Sequence, residues 1–438
     1  MDHVWPFSSR KQFLSLARTL AVFVGIQLIV QLIGFLCGIL VVRMLSKADY
    51  AIFTIAGSAL GLLTNLSDLG VGNAMLALGG RVWQDNVQMG QLVYTAQKVR
   101  WVLFVLGSLV ATSVFLSFGL RAGASTGYAL VICGVLLLSA ISQLNYTIWS
   151  VVPRLHAEIT RLQRLDLASA LIRLSLLAAS ALTLINSAIV LVINSVGLAI
   201  QAFVARRWAN RFLAPDTQAT REDRRKIMDL VRSQMPNALF YCVYGQATVL
   251  VISIFGRTKE IAEVGALSRL GALLAILGSV MSMIVLPRFA RAQTSGDLAR
   301  KYHQVVFLYL FGSGTLWALT IVFPEKLLWV LGDQYASLEK HVGWVVLSAL
   351  AHTFVGLLWS LNTAKGWVKR AWTAIPAIIV LQAITACIVD LATVKGAIIF
   401  GALPILGAVP AYLMLAEIGI RQAPNTGDMI SASARGAR

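Results

Sequence analysis

The chain has 438 residues, 58% of them hydrophobic and only 13% charged, with a mean hydropathy of +0.77. A soluble domain averages roughly 45–50% apolar and about 25% charged residues, so 37 basic and 19 acidic side chains cannot clothe the cores that this length would build. The composition excludes an ordinary soluble protein and specifies a polytopic membrane protein. The net charge of +18 then reads as basic loops held at one membrane face rather than as a nucleic-acid surface.

Runs of about 20 apolar residues separated by turn or charge signals mark membrane spans. In chain order they fall at 19–42, 51–78, 99–119, 128–151, 166–185 and 187–205, then at 236–256, 262–286, 303–323, 342–363, 371–390 and 396–416. The expected fold is therefore all-α, with about 12 transmembrane helices in two pseudo-symmetric six-helix lobes around a central cavity. The lobes are 1–205 and 236–420, joined by a basic connection over 206–235. Within that connection the spacing of Ile227, Leu230 and Val231 predicts an amphipathic helix lying on the inner membrane surface. The tail 421–438 is polar and expected to be disordered.

With the N-terminus placed in the cytoplasm, 27 of the 37 basic residues fall on the inner side, eight on the outer side and two, Arg173 and Arg269, inside spans. Arg100 is counted here with the inner loop. This asymmetry orients both termini to the cytoplasm. The first span has no small-residue cleavage site and is expected to stay as an uncleaved helix. An offset of 214 residues aligns Arg43 with Arg257, Asp49 with Glu263, Ala51 with Gly265 and Gly57 with Gly271. Both halves start on the same side, so the repeat would be parallel, about an axis along the membrane normal.

Cys37, Cys133, Cys242 and Cys387 all lie in apolar runs without CxxC spacing and read as small buried hydrophobes. Five histidines and no HExxH or Cys/His cluster leave no metal site.

Several spans carry polar residues on one face. Gln27, Gln31, Gly34 and Gly38 align on the first, and Ser139, Ser142, Gln143, Tyr146 and Ser150 on the fourth. Asp166, Ser169, Arg173 and Ser180 align on the fifth, Asn237, Tyr241, Gly245 and Thr248 on the seventh, and His352, Gly356, Trp359 and Thr363 on the tenth. Small and polar residues glue helices together in membranes, which suffices for Gly34-x-x-x-Gly38 and Gly57-x-x-x-Gly61. Stripes drawn from both halves suggest in addition a water-accessible cavity shared by the lobes.

A charge inside a span costs about 2.5 kcal/mol or more, so it tends to face a cavity or a partner. Arg173 and Arg269 are candidates either for anion binding or for pairing with a structural partner such as Asp166. A guanidinium matches phosphate as a planar fork, which points to a phosphorylated substrate. Asp68 fits a helix-turn or inter-helix hydrogen bond, or else ion or proton coupling; Asp390 fits an interface residue facing outer water.

The stretch from Gly38 to Ala74, with Arg43, Asp49-Tyr50-Ala51 and Ser67-Asp68-Leu69-Gly70, resembles the opening of polysaccharide-exporter flippases in the multidrug/oligosaccharidyl-lipid/polysaccharide superfamily. Val264-Gly265, Ser268-Arg269, Leu286-Pro287-Arg288, the turn from Leu328 to Ser337 and the turn from Leu361 to Arg370 are similar to later motifs of that family, in the same order. The resemblance implies two six-helix lobes opening as a V around a cationic cavity. It also implies a lipid-linked oligosaccharide substrate, carried on undecaprenyl diphosphate from the cytoplasmic to the periplasmic leaflet of a bacterial inner membrane. Glycan polymerase and chain-length machinery are the partners it suggests, besides the bilayer itself. Arg269 is its cavity cation. Gln246-Ala247-Thr248 replaces an acidic residue found in many relatives, which leaves the coupling ion, H+ or Na+, open; no other cofactor is implied.

Transport needs no covalent chemistry, and no catalytic constellation is present, so the chain is not expected to be an enzyme. The alternative is a multidrug or metabolite antiporter of the same superfamily. A membrane O-antigen ligase or polymerase is less favoured, because the longest outer loop, about 324–341, offers little room for a site.

Overall fold

The computed structural model describes residues 10–156, 158–180, 185–215, 217–280, 286, 289, 294–367 and 370–423, without the side chains of 10–24, 233–234, 272–273, 275–280 and 333. The Pro287-Arg288 pair and the polar tail from 424 lie outside them. Among the described residues every regular element is helical.

Among the described residues a helix falls on each expected span; residues 181–184 of the fifth and 281–285 of the eighth lie outside them. The first half comprises α1 (Arg10–Met44), α2 (Lys47–Asp68), α3 (Val71–Val82), α4 (Asn86–Arg121), α5 (Thr126–Trp149), the short α6 (Val151–Leu155), α7 (Ile159–Ser180) and α8 (Ser187–Ala209). The second comprises α9 (Arg221–Tyr244), α10 (Ala247–Phe255), α11 (Thr258–Val280), α12 (Ser295–Val322), α13 (Pro324–Leu331), α14 (Glu339–Ala364), α15 (Ala374–Ile388), α16 (Val394–Ala402) and α17 (Ala408–Arg421). Nine of the described helical stretches are long and apolar enough to cross a membrane, and the bent pair α9–α10 makes a tenth. The remaining two, α7 and α11, are the spans that carry Asp166 with Arg173 and Glu263 with Arg269.

Three departures from the sequence reading have local causes. The second span is broken where Leu69 (φ 38°) and Gly70 (φ 92°) are both left-handed; Asp68 then accepts from Gly72 N–H at 3.1 Å and caps the new helix α3. The helix expected on the membrane surface does not stop near 235. It is capped by Thr220, whose side chain accepts from Asp223 N–H, and runs without interruption through Pro236 to Tyr244. Its apolar residues Ile227 and Val231 are buried among Met89, Val93 and Trp149 of the first half and Leu213 of the connection, so they pack on protein rather than lipid. The seventh span bends by 46° between Tyr244 and Ala247.

Buried residues sort by position along the bundle. Where α1 ends and α2 begins, one cluster draws on both halves, joining Val42, Leu45 and Ile55 to Val264, Leu267 and Leu331. Toward the other end the buried residues form separate clusters, one around Met89, Trp149 and Ala205, the other around Tyr302, Leu358 and Tyr412. The two helices superposed by the 214-residue offset, α2 and α11, pack directly against each other. Lipid offers no hydrophobic drive for this, so close approach of backbones must supply it. A side chain on Gly265 would collide with Thr54, and one on Gly61 with Gln246. Gly38 lies against Arg269, whereas Gly34 and Gly57 face open space. The glycines that matter are those at the seam.

Candidate functional site

The seam between the halves is polar at its core. Tyr50 Oη donates to Gly265 O at 3.3 Å, and Arg269 Nε donates to Tyr50 Oη at 3.1 Å. The Arg269 guanidinium carbon sits 5.6 Å from the Phe53 ring centroid, a cation–π distance. Lys47 of α2 reaches the buried Glu263 of α11 at 3.7 Å, with Lys259 at 3.9 Å on the other side. Arg43 Nε donates to Val330 O at 2.9 Å and Gln334 Nε2 to Val42 O at 2.7 Å. Each of these contacts, except that of Lys259, links one half to the other, and all lie at the same end of the bundle. Arg269 thus sits in the inter-lobe seam, half-buried.

A second polar site lies wholly inside the first half. Asp166 on α7 accepts from Tyr146 Oη on α5 and from Gln201 Nε2 on α8, the latter at 2.9 Å. Ser169 Oγ donates to Gly197 O at 3.1 Å, and Ser139 pairs with Ser195. Arg173 folds over Gly197, where a Cβ would meet its stem, and its Nε is buried with no hydrogen-bond partner among the described residues. Arg173 does not pair with Asp166; the aspartate is held by Tyr146 and Gln201 instead. Gln201 and Ser195 belong to this site although no stripe singled out α8. Their signal was Ser-x5-Gln facing across from the serines of α5, visible only once the helices are paired.

Asp68 forms an ion pair with Arg100. Arg100 also donates to Leu144 O at 2.8 Å and Thr147 Oγ1 at 2.6 Å and is only 3% exposed. Counting it with the loop was therefore wrong: it is a buried cation that ties α2, α4 and α5 together. In the second half, Tyr241 and Tyr412 share a 2.8 Å hydroxyl contact, and Asn362 Nδ2 donates to Tyr412 O at 2.9 Å. His352 is exposed, bonded through Nδ1 to Ser348 O at 2.9 Å, with its ring 6.1 Å from that of Tyr244. Gln27, Gln31, Gln143 and Asn237 are half-buried on α1, α5 and α9. The hydrogen bonds of Asp166 and Tyr146 thus close within the first half and that of Tyr241 within the second, whereas Arg269 is bonded across the seam, as are Arg43, Tyr50 and Gly265 of the motifs read from sequence. Cys133 and Cys242 are buried and Cys37 is half-buried, but Cys387 is exposed, which corrects the expectation that all four are core residues. Asp390 caps a turn by accepting from Ala392 N–H at 3.0 Å. Among the described residues no group of His, Cys, Asp and Glu could hold a metal ion.

No family model matches the sequence, and no curated protein matches it. Solved structures do. The chain is similar to an outward-facing multidrug resistance MATE family transporter of the MOP superfamily, at 14% identity and a TM-score of 0.63, covering 92% of this chain and 94% of that one. An inward-facing structure of such a transporter gives 12% identity and a TM-score of 0.62 over 90% and 94% of the two chains. The eukaryotic MATE transporter AtDTX14 gives 13% and 0.62 over 97% and 99%. The chain has the fold of MATE transporters of the MOP superfamily.

Proposed function

We propose that the protein is a transporter of the multidrug/oligosaccharidyl-lipid/polysaccharide superfamily, working by alternating access of two lobes, 1–205 and 236–420. One observation carries this reading: a single buried cluster unites many helices of both halves at the end bearing Tyr50 and Arg269, while toward the opposite end the buried residues split into two clusters, one of the first half joined from the second only by α9 and one of the second half. A transporter caught with one gate shut has that arrangement. Taken with the excess of basic residues on the side of the chain termini, the shut gate faces outward and the cleft opens to the cytoplasm of a bacterial inner membrane.

Two cargo classes have support. The structural neighbours are named as multidrug transporters, so the fold by itself favours a multidrug or metabolite antiporter. The motif order and the intramembrane arginines Arg173 and Arg269 favour an anionic cargo, a lipid-linked oligosaccharide whose diphosphate would meet one of them. A polymerase and chain-length machinery would then receive the product. A deletion strain with radiolabelled undecaprenyl-linked glycans separates the two. Intact repeat units trapped in the cytoplasmic leaflet, released by the wild type but not by Arg173→Gln, establish the flippase. An unchanged glycan distribution together with increased sensitivity to cationic drugs establishes the antiporter.

A further inference from the structure

We infer that the second half carries a binding groove for one anionic glycerophospholipid, between α12, α14 and α16, independent of the transport pathway. The groove is built rather than merely exposed. A cavity of about 390 Å³ is walled by Tyr309, Trp317, Leu347, Phe354, Ile399 and Leu403. It shares Trp317, Trp344 and Leu347 with a second cavity of about 480 Å³ that ends at Thr320, Glu339 and Lys340. Two aromatic side chains along it could present polar groups and do not. Tyr309 Oη donates to Leu350 O at 2.9 Å, and Trp317 Nε1 donates to Gly343 O at 3.1 Å. Both hydrogen bonds turn the polar tips into α14 and leave the apolar ring faces to the groove.

The length and the charge choose the occupant. From Tyr309 to Thr320 the helix rises about 16 Å at 1.5 Å per residue, close to half of a hydrocarbon core about 30 Å thick. One acyl chain of one leaflet fills that depth. At the mouth stand two cations and one carboxylate: Lys340, Lys395 with its Nζ 5.1 Å from the Trp344 ring centroid, and Glu339. A headgroup whose only charge is its phosphodiester is complementary to that excess of positive charge, whereas a zwitterionic one gains less. An exposed lysine near the membrane surface attracts anionic lipid.

The test uses full-length protein in nanodiscs of mixed phosphatidylglycerol and phosphatidylcholine, with bound lipid counted by native mass spectrometry. The wild type retains one phosphatidylglycerol in preference to phosphatidylcholine. Lys340→Gln with Lys395→Gln weakens that retention about thirtyfold and leaves phosphatidylcholine unchanged. Gly314→Trp, where a side chain meets open space, abolishes retention by filling the groove; Ala351→Phe on the facing wall does the same should the first variant fail to fold. Equal retention of the two lipids by the wild type, or unchanged retention in both filled variants, overturns the proposal. So does displacement of the bound lipid by a polyprenyl diphosphate at equal concentration, which would assign the groove to cargo.

Discussion

Arg269 and Tyr50 come from opposite halves of the chain and meet at 3.1 Å, Arg269 Nε donating to a hydroxyl that itself donates to Gly265 O. Tyr50 is fully buried, so one phenol serves as both acceptor and donor within the seam. Removing it takes from Arg269 its hydrogen bond across the seam and leaves the contact with Phe53, while Gly265 O keeps only the bond from Ser268 Oγ at 2.6 Å within its own helix turn.

Tyr50→Phe deletes two hydrogen bonds worth about 1 kcal/mol each and so loosens the shut end. In a background without the four native cysteines, Gly38→Cys is shielded by Arg269. Its labelling by an impermeant maleimide should rise by up to about thirtyfold when Tyr50→Phe is added. An unchanged labelling rate would mean that the phenol does not hold the seam.

Asp68→Asn leaves Arg100 buried with no carboxylate opposite it. The Asp68 side chain is 36% exposed, so the loss falls below the roughly 3 kcal/mol of a fully buried pair, and the melting temperature in detergent should still fall. Replacing both, Asp68→Asn with Arg100→Met, should recover most of the loss; a double variant as unstable as the single one would refute the pairing as the cause.

Asp166 is the carboxylate of the first half's polar interior, held by Tyr146 and Gln201. Asp166→Asn keeps a side chain of the same shape and removes the charge. If this site couples transport to a cation, vesicles carrying the variant should still bind cargo but lose their response to an imposed pH or sodium gradient. A retained response assigns Asp166 to structure.

At the exposed start of α9, the bond from Lys226 holds the Glu222 carboxyl below the usual carboxylate range. A depressed acid stabilises the helix above its unfolded value and loses that contribution as pH falls through the folded one. Hydrogen exchange in the first turn of α9 should therefore speed up, after correction for intrinsic rates, only when pH drops below about 4.5. Glu222→Gln should flatten that dependence.

How much was legible in the sequence follows from what each feature depends on. Spans depend on local hydropathy: helices stand on all twelve expected stretches, ten of them long and apolar enough among the described residues to cross a membrane, while α7 and α11 fall short because of their internal charges or described length. Arg100 was misplaced because it sits near a span's end, and only the pairing of α4 with α2 and α5 supplies the partners that bury it. Ile227 and Val231 show an apolar face from spacing alone, but whether lipid or protein covers that face depends on where α4 begins and α5 ends. The break at Leu69 carried a weak signal, since a left-handed leucine before a glycine is not marked by composition. The polar stripes of α5 and α7 meet through Tyr146 and Asp166; that they close on each other, rather than on a cavity shared with the second half, is a matter of tertiary packing.

The central claim is that the seam between α2 and α11 must open for cargo to cross. A Cβ built on Gly265 lies 3.0 Å from Thr54 Cβ, slightly inside the spacing a disulfide needs, so Thr54→Cys with Gly265→Cys in a background free of the native cysteines can be cross-linked after a small shift. The measurement is delivery of labelled lipid-linked glycan to the outer leaflet, with efflux of a cationic drug followed in parallel. The account predicts that oxidation stops whichever cargo the uncross-linked protein moves, and that reduction restores it. Transport at full rate through a fully cross-linked seam would contradict it.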